Sequence, residues 1–290
     1  MSSSRQPDHS GDLGSSSDPT STVDFQELCA IVHGASGIMI DENKRQLVKA
    51  RLRQRLQETG AGTLSGYLEM LRSDPTGVET SILLDLISTN VTSFFREQHH
   101  FDHLVRVALP ESQAVERQEP MRIWSAACSS GEEPYSIAMS LAEELGADRA
   151  RRFLILATDI STRMVSRARE GRYPSTSLAS VPQAVRERWF ESEEDEEFRV
   201  AWALRDRVRV NHLNLLESWP MKKKFSAIFC RNVLIYFNHA TCQRLINRFW
   251  DQLYPGGYLY IGHSESLSNL NHEFEYAGPT IYRRPAGGDE

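Results

Sequence analysis

A change in the spacing of apolar residues near Arg122 constrains the fold of this chain more than any other feature. Over residues 23–101 the apolar residues recur at helical spacing, and glycines and an Asp-Pro pair separate the stretches. Beyond Arg122, short apolar runs that are typical of buried strands alternate with helical stretches. Strands that alternate with helices form parallel sheets, because each connecting helix packs back against the sheet. The sequence therefore predicts an all-helical domain followed by a Rossmann-like α/β domain.

The first 22 residues differ in composition from both of these halves. They are rich in serine, with glycine, proline and aspartate and almost no apolar residues. Such a segment cannot bury enough apolar surface to offset the entropy lost on ordering, so we expect a disordered tail over 1–22. The predicted domains are then a helical domain with its linker over 23–101 and an α/β domain over 102–290.

The segment 171–210 interrupts the strand–helix alternation of the second half. It holds two prolines, an acidic run at 191–197 and then alternating apolar residues, and it is too long for a plain loop. We expect an insertion here, with a short helix and a small antiparallel sheet. The flanking strands are predicted at 123–127, 153–157, 227–230 and 258–261, and a terminal hairpin is predicted near 274–283.

Charge and cysteine content exclude several classes of protein. The chain has 33 Lys and Arg against 39 Asp and Glu, a net charge of −6, which argues against a dedicated nucleic-acid-binding protein. The four cysteines are isolated, without a CxxC pair, so neither a disulfide framework nor a metal site is expected. Without an apolar signal segment or a membrane-length apolar run, a cytoplasmic location is expected.

The predicted cofactor site lies where the first two strands of the α/β domain end. Ligands of such sheets bind at the carboxyl ends of the strands. The first strand is followed by Gly131, Glu132 and Glu133, and these two glutamates would repel a pyrophosphate but attract an ammonium group. Asp159 ends the second strand and can accept hydrogen bonds from ribose hydroxyls. Together these features favour S-adenosylmethionine over NAD, although the glutamates could serve only the helix dipole and Asp159 only a helix cap.

Three longer motifs resemble the CheR family, the chemotaxis receptor methyltransferases that form glutamyl methyl esters. They are NVTSFFRE at 90–97, WSAACSSGEEPYS at 124–136 and FCRNVLIYF at 229–237. Shorter matches follow at 214–216 and 262–266, and the motifs occur in the order of the family. The resemblance covers residues 24–284 and implies an enzyme that uses S-adenosylmethionine and releases S-adenosylhomocysteine.

The resemblance also implies which residues bind the cofactor. Glu133 would bind its ammonium group, Asp159 its ribose, and the pair Asn214 and Leu215 its adenine. The other cofactor-binding residues implied by the motifs lie at the amino-acid end of the cofactor or close the pocket around it: Asn90, Thr92, Arg96, Arg231 and Asn232.

Arg96 and Tyr236 are the predicted catalytic residues. Methyl transfer from a sulfonium to a carboxylate is an in-line displacement, and a glutamate with a pKa of about 4.3 is already an anion at neutral pH. The enzyme then needs no general base and has only to align the reactants. An arginine and a tyrosine hydroxyl suit the task of holding the acceptor carboxylate.

A run of six cations without an acidic residue lies within 43–57: Lys44, Arg45, Lys49, Arg51, Arg53 and Arg55. The pattern alone is compatible with a solvated helix face or a nucleic-acid surface. The resemblance favours docking on the acidic helices of methyl-accepting receptors. The acidic run at 191–197 lacks the glycine-containing loop with which enteric relatives bind a receptor pentapeptide, and this departure argues against such tethering.

Three other functions are compatible with part of this pattern. A methyltransferase of the same fold could act on another protein, and an RNA methyltransferase could use the basic helix. A cofactor-binding adaptor without catalysis is disfavoured because Arg96, Asn232 and Tyr236 are all present.

Overall fold

The structure is a computed structural model that describes residues 22–112, 119–146 and 152–287. The expected disordered tail lies outside the described residues, except for Thr22, which begins the first helix. The described chain forms a helical domain followed by an α/β domain, as the change of apolar spacing predicts. Among the described residues, no helix has the length and apolar content needed to cross a membrane.

Four helices form the N-terminal domain: α1 (Thr22–Ser36), α2 (Arg45–Glu58), α3 (Leu64–Ser73) and α4 (Val78–Ile87). Helix α1 packs on α3 and α4, and α2 packs on α4. Their apolar stripes meet in one core, in which each fully buried large side chain contributes about 1.5–3 kcal/mol. The most deeply buried members are Phe25, Leu28, Val32, Leu52, Tyr67, Leu68 and Leu83.

The described part of the second domain contains a seven-stranded sheet made of β1 (Met121–Ala126), β2 (Phe153–Asp159), β6 (Val208–His212), β7 (Phe225–Cys230), β8 (Leu253–Ile261), β9 (Glu275–Gly278) and β10 (Ile281–Arg283). The strand order is β6-β2-β1-β7-β8-β10-β9. The first five strands in this order are parallel, β10 is antiparallel to β8, and β9 is antiparallel to β10. The chain runs outward from β1 to β6 and then returns to β7, so the strand order reverses between β1 and β7. A crevice at the carboxyl ends of strands forms at such a reversal.

Helices cover both faces of the sheet. Alternate residues of β1 enter different cores: Ile123 joins one hydrophobic cluster and Trp124 the other, and both are fully buried. This two-sided burial explains the continuous apolar runs of the predicted strands. The covering helices are α5 (His99–His103), α6 (Glu132–Leu145), α7 (Thr162–Glu170) and α10 (His239–Gln252).

The predicted insertion is present but shorter than residues 171–210. It comprises β3 (Arg172–Pro174), α8 (Gln183–Trp189), β4 (Phe190–Ser192) and β5 (Glu197–Val200), which form an antiparallel sheet in the order β3-β5-β4. After the short helix α9 (Trp202–Arg205), strand β6 pairs in parallel with β2 and belongs to the main sheet. The misassignment arises because β6 is an edge strand, whose alternating burial has the same period as a small exposed sheet.

Strand β8 also begins earlier than expected. The strand predicted at 258–261 begins at Leu253, so Pro255, Gly256 and Gly257 lie within it, and Gly256 N donates to Arg284 O at 2.8 Å. The partner of this segment is remote in sequence, so local turn residues could not reveal it.

The loop after α1 fixes the helical domain over the carboxyl ends of the strands. Gly37 has a φ of +72°, and a Cβ there would lie 2.5 Å from Leu216 Cδ1. The Met39 amide donates to Tyr236 O at 2.8 Å, and the Asn214 side-chain amide donates to Ala35 O at 2.8 Å. The crevice at the strand reversal is therefore roofed by the helical domain.

Candidate active site

A cavity that opens to solvent lies between the helical domain and the carboxyl ends of β1, β2 and β7. It is lined from both domains and by the linker between them. The ten residues that the sequence predicts for cofactor binding and catalysis all line it: Asn90, Thr92, Arg96, Glu133, Asp159, Asn214, Leu215, Arg231, Asn232 and Tyr236.

Glu133 occupies the first turn of α6 and is 9% exposed. The preceding turn is possible because Gly131 has a φ of +101°, and a Cβ there would lie 2.7 Å from the Tyr173 hydroxyl oxygen. Glu133 accepts hydrogen bonds from Ser125 Oγ at 2.6 Å and from Arg231 Nη1 at 3.0 Å. Burial raises the pKa of Glu133, against the opposing effect of Arg231 and Ser125.

Arg231 lies between two carboxylates, Glu133 and Glu97. Its side chain is 3% exposed, and Nη2 lies 3.3 Å from Glu97 Oε2 and donates to the Arg96 carbonyl oxygen. Burial would raise the pKa of Glu97, but the charge of Arg231 and hydrogen bonds from His263 lower it to about 2. Two carboxylates, Glu133 and Asp159, line the cavity floor beside the single guanidinium of Arg231, so the floor has an excess of negatively charged groups that attracts a cationic ligand.

Asp159 is 6% exposed and accepts backbone hydrogen bonds from Ser129 N at 2.8 Å and Ser161 N at 2.9 Å. Burial raises the pKa of Asp159, and the two amide hydrogen bonds oppose this rise. The N-cap of α7 is Ser161, whose hydroxyl accepts from Met164 N. Asp159 is thus not the cap of this helix, and its carboxylate remains in the cavity wall.

Glu265, to which the sequence analysis assigned no role, holds the loop that follows β7. Its carboxylate accepts the backbone N–H groups of Asn232 at 2.9 Å, of Val233 and Leu234 at 2.8 Å each, and of Gly262. Asn232 has a φ of +60°, a costly conformation for a side-chain-bearing residue, and Glu265 stabilises it. A glutamate four residues after the end of an apolar strand is the sequence signal that could have identified it.

Two buried donors in the cavity wall test whether a cofactor fits. Asn232 Nδ2 and Arg231 Nε have no hydrogen-bond partner in the described part of the chain, and a buried unpaired donor costs about 1–3 kcal/mol. An amino-acid carboxylate would satisfy such donors, and the anionic floor would accept an ammonium and a sulfonium. Apolar side chains for a flat adenine ring line the same cavity, at Ile38, Val48, Leu213, Leu215 and Phe237. The residues present therefore fit S-adenosylmethionine.

Comparison with known families agrees with this geometry. Residues 90–283 match the model described as CheR methyltransferase, SAM binding domain, and residues 23–88 match CheR methyltransferase, all-alpha domain. The chain belongs to the CheR methyltransferase family. This chain is therefore a methyltransferase, and its cofactor is S-adenosylmethionine.

Similar CheR proteins span nearly the whole chain. The chain is 40% identical to a "Probable chemotaxis protein methyltransferase" of Rhizobium etli over 89% of its length and 98% of that protein. It is 39% identical to a chemotaxis protein methyltransferase of Borreliella burgdorferi, over 90% of this chain and 94% of that one. The corresponding protein of Salmonella typhimurium is 37% identical over 90% of each chain.

Arg96 and Tyr236 lie at the mouth of the CheR cavity rather than on its floor. The Arg96 side chain is 33% exposed, its Nε lies 3.9 Å from Glu97 Oε1, and its Nη1 donates to Val91 O at 3.2 Å. Lys44 Nζ lies 5.5 Å from the centroid of the Tyr236 ring. The mouth is therefore cationic, in contrast to the anionic floor.

The side-chain amide of Asn214 is used for structure rather than presented to the cavity. It donates to Ala35 O and its oxygen accepts from Leu216 N at 3.0 Å. Asn214 thus lines the cavity while joining the two domains, and the apolar side chain beside it is that of Leu215, 7% exposed.

The basic helix α2 is not the uniform cationic face that its sequence predicts. Arg51 Nη1 donates to Ile87 O at 2.7 Å and caps the end of α4, and Arg55 pairs with Glu79 and Glu58. Arg45 pairs with Glu42. These contacts do not test docking, so the surface of six cations stays a prediction, but Arg45, Arg51 and Arg55 already bind groups within this protein.

Proposed function

We propose that this CheR protein methylates glutamate side chains in the cytoplasmic domains of methyl-accepting chemotaxis receptors, forming glutamyl methyl esters. The observation that carries the proposal is the opposed charge of the site, an anionic floor beneath a mouth that holds Arg96 and Lys44. Such a site suits a cationic methyl donor inside and an anionic acceptor outside. The names of the similar proteins and the three motifs support the same substrate class.

On this proposal the floor residues bind the cofactor, which when bound supplies a methyl group on positively charged sulfur. Glu133 accepts hydrogen bonds from the cofactor ammonium, and Asp159 accepts them from the ribose hydroxyls. Leu215, beside Asn214, packs on the adenine. The remaining cofactor-binding residues of the proposal are Asn90, Thr92, Arg96, Arg231 and Asn232.

Arg96 and Tyr236 orient the acceptor carboxylate in this proposal. An approaching carboxylate is repelled by the negative floor, and the Arg96 guanidinium offsets that repulsion while holding the two oxygens by charge-assisted hydrogen bonds. The Tyr236 hydroxyl donates a further hydrogen bond. Because the acceptor glutamate is already ionised at neutral pH, no proton has to be removed before transfer.

The proposed docking surface is the basic run of the α2 segment, whose exposed members are Lys44 and Arg53. Receptor pentapeptide tethering is not part of the proposal. The turn between β4 and β5 has no glycine, Asp195 and Glu196 adopt φ values of +55° and +58°, and Glu193 is paired with Arg172 at 2.7 Å. The proposal is direct docking on the receptor methylation helices, in the cytoplasm.

The experiment is transfer of a labelled methyl group to a panel of receptor cytoplasmic fragments. We expect label on protein that is released as methanol in mild base, and no label on a fragment whose acceptor glutamates are replaced by alanine. Arg96→Ala serves as the inactive control. Label that is stable to base, or that appears on RNA in a parallel reaction, would contradict glutamate esterification.

A further inference from the structure

Four large apolar side chains that remain exposed lie around the mouth of the active-site cavity. We call them the mouth ring: Met39, Leu47, Val91 and Ile235, which are 54%, 48%, 78% and 52% exposed. The first three line the cavity, and Ile235 belongs to the helical turn Leu234–Tyr236, whose last residue also lines it. The other exposed large apolar side chains of the described residues do not line the cavity: Val23, Val78, Trp202 and Tyr276.

The mouth ring is assembled from separate parts of the fold. Met39 follows α1, Leu47 lies in α2, Val91 lies in the linker between the domains, and Ile235 follows β7. Single exposed apolar residues are normal, but exposed apolar residues from four segments around one opening form a surface of the kind that a partner protein covers. A substrate that covers the mouth ring must therefore present apolar residues in addition to the appropriate charge.

The charges within the ring define the partner further. Lys44 and Arg96 line the same mouth, Lys44 is exposed, and Arg53 is exposed on the same helix as Leu47. An apolar centre with a cationic border complements a surface in which apolar residues lie beside acidic ones. On a helix, residues three, four and seven positions apart share one face, so an amphipathic acidic helix presents this combination.

We propose that the mouth ring selects the acceptor glutamate by binding apolar side chains one helical turn before and after it on the substrate helix. This inference rests on the proposed function, since the helix is that of a chemotaxis receptor. The acceptor carboxylate enters between Arg96 and Tyr236 while the flanking apolar side chains cover Leu47 and Val91 on one side and Ile235 on the other. Glutamates on a wholly polar helix face are poor acceptors, because such a helix leaves the apolar side chains of the mouth ring exposed to water.

The decisive variant is the double substitution Val91→Ser and Ile235→Ser in the full chain. Burying two exposed aliphatic side chains contributes binding free energy, and we expect its loss to raise the KM for a receptor fragment about tenfold or more. The kcat at saturating fragment and the Kd for S-adenosylmethionine, measured by calorimetry, stay within about twofold of wild type. Matched controls are Val23→Ser and Val78→Ser, equally exposed positions away from the mouth, for which all three quantities stay at the wild-type values.

A second arm changes the substrate. Replacement of the apolar residues four positions before and after one acceptor glutamate by glutamine, in a fragment whose helicity is verified by circular dichroism, raises the wild-type KM about as much as the ring variant does. With the ring variant the two KM increases are less than multiplicative, because each change removes the same contact. The ratio of variant to wild-type KM is equal at low and high salt, since the contact is apolar.

Three outcomes would overturn the inference. An unchanged KM for the ring variant, with wild type fully active, rejects the mouth ring and leaves the proposed function standing. A fall in molecular mass by light scattering with unchanged KM assigns the ring to self-association instead. Absence of methylation of every fragment by wild type rejects the proposed function and this inference together.

Discussion

The cavity floor and helix α2 both place arginines against glutamates, yet they differ in what those pairs leave unsatisfied. On the floor, the carboxylates of Glu133 and Asp159 lie beside the single guanidinium of Arg231, and Asn232 Nδ2 lacks a partner among the described residues. Against α2, the Glu79 carboxylate accepts hydrogen bonds from Arg55 and from Tyr67, so its charge is balanced within the helical domain. The floor, with more carboxylates than cations and an unpaired donor, can accept a ligand, whereas the balanced charges of Arg55 and Glu79 join two helices of the fold.

The largest expected effect is that of Arg96→Ala, which removes the only side-chain cation proposed to hold the acceptor carboxylate. We expect methyl transfer to fall by a factor of about 10²–10³, as for loss of a charged group at a reacting centre. The thermal unfolding midpoint stays close to wild type because the side chain lies at the mouth. Single-turnover methylation of a receptor fragment measures the effect, and near-normal turnover would remove Arg96 from the mechanism.

The next effect comes from Glu265→Gln compared with Glu79→Gln. In the first variant four backbone donors lose a carboxylate, the loop with Asn232 shifts, and kcat/KM for the cofactor falls about tenfold to a hundredfold. In the second, Arg55 and Tyr67 lose a carboxylate, and the free energy of unfolding falls by about 2–4 kcal/mol while kcat/KM stays near wild type. Equal losses of activity in the two variants would contradict the distinction between a carboxylate that shapes the cavity and one that only stabilises the helical domain.

The pH dependence of cofactor binding gives a third test of the floor. Burial raises the pKa of Glu133, and only its ionised form pairs with an ammonium. As the pH falls through that raised pKa, the Kd for S-adenosylmethionine increases, up to about tenfold per pH unit. Glu97, with a pKa of about 2, stays ionised throughout and cannot cause the change. Calorimetric titration between pH 8 and 4.5 measures this; a Kd that is constant over the range would contradict it.

The ten predicted residues that line the cavity could be found from the sequence because each lies at a strand end or in a motif, and the carboxyl ends of parallel strands meet at one edge. The roles of Arg51, Arg55 and Glu265 could not. Glu79 lies 24 residues from Arg55, and the amides that Glu265 accepts at the Asn232 loop lie 31 to 33 residues away. A charge run reports which side chains are present, but only the tertiary fold shows which of them are already paired. Strand β6 was misassigned because the alternating burial of this edge strand has the same period as that of a small exposed sheet.

The smallest expected effect separates the cations of α2 from one another. Arg53→Gln changes an exposed side chain, so the free energy of unfolding stays within about 0.5 kcal/mol of wild type and the KM for a receptor fragment rises only about twofold to fivefold at low salt. Arg51→Gln, a substitution of the same shape two residues earlier, leaves the carbonyls at the end of α4 without their cation and destabilises the helical domain. Chemical denaturation and methylation kinetics distinguish the two. If Arg53→Gln destabilised the protein as much as Arg51→Gln, then exposure would not separate the docking cations from the structural ones, and the comparison between a satisfied and an unsatisfied charge would fail for this helix.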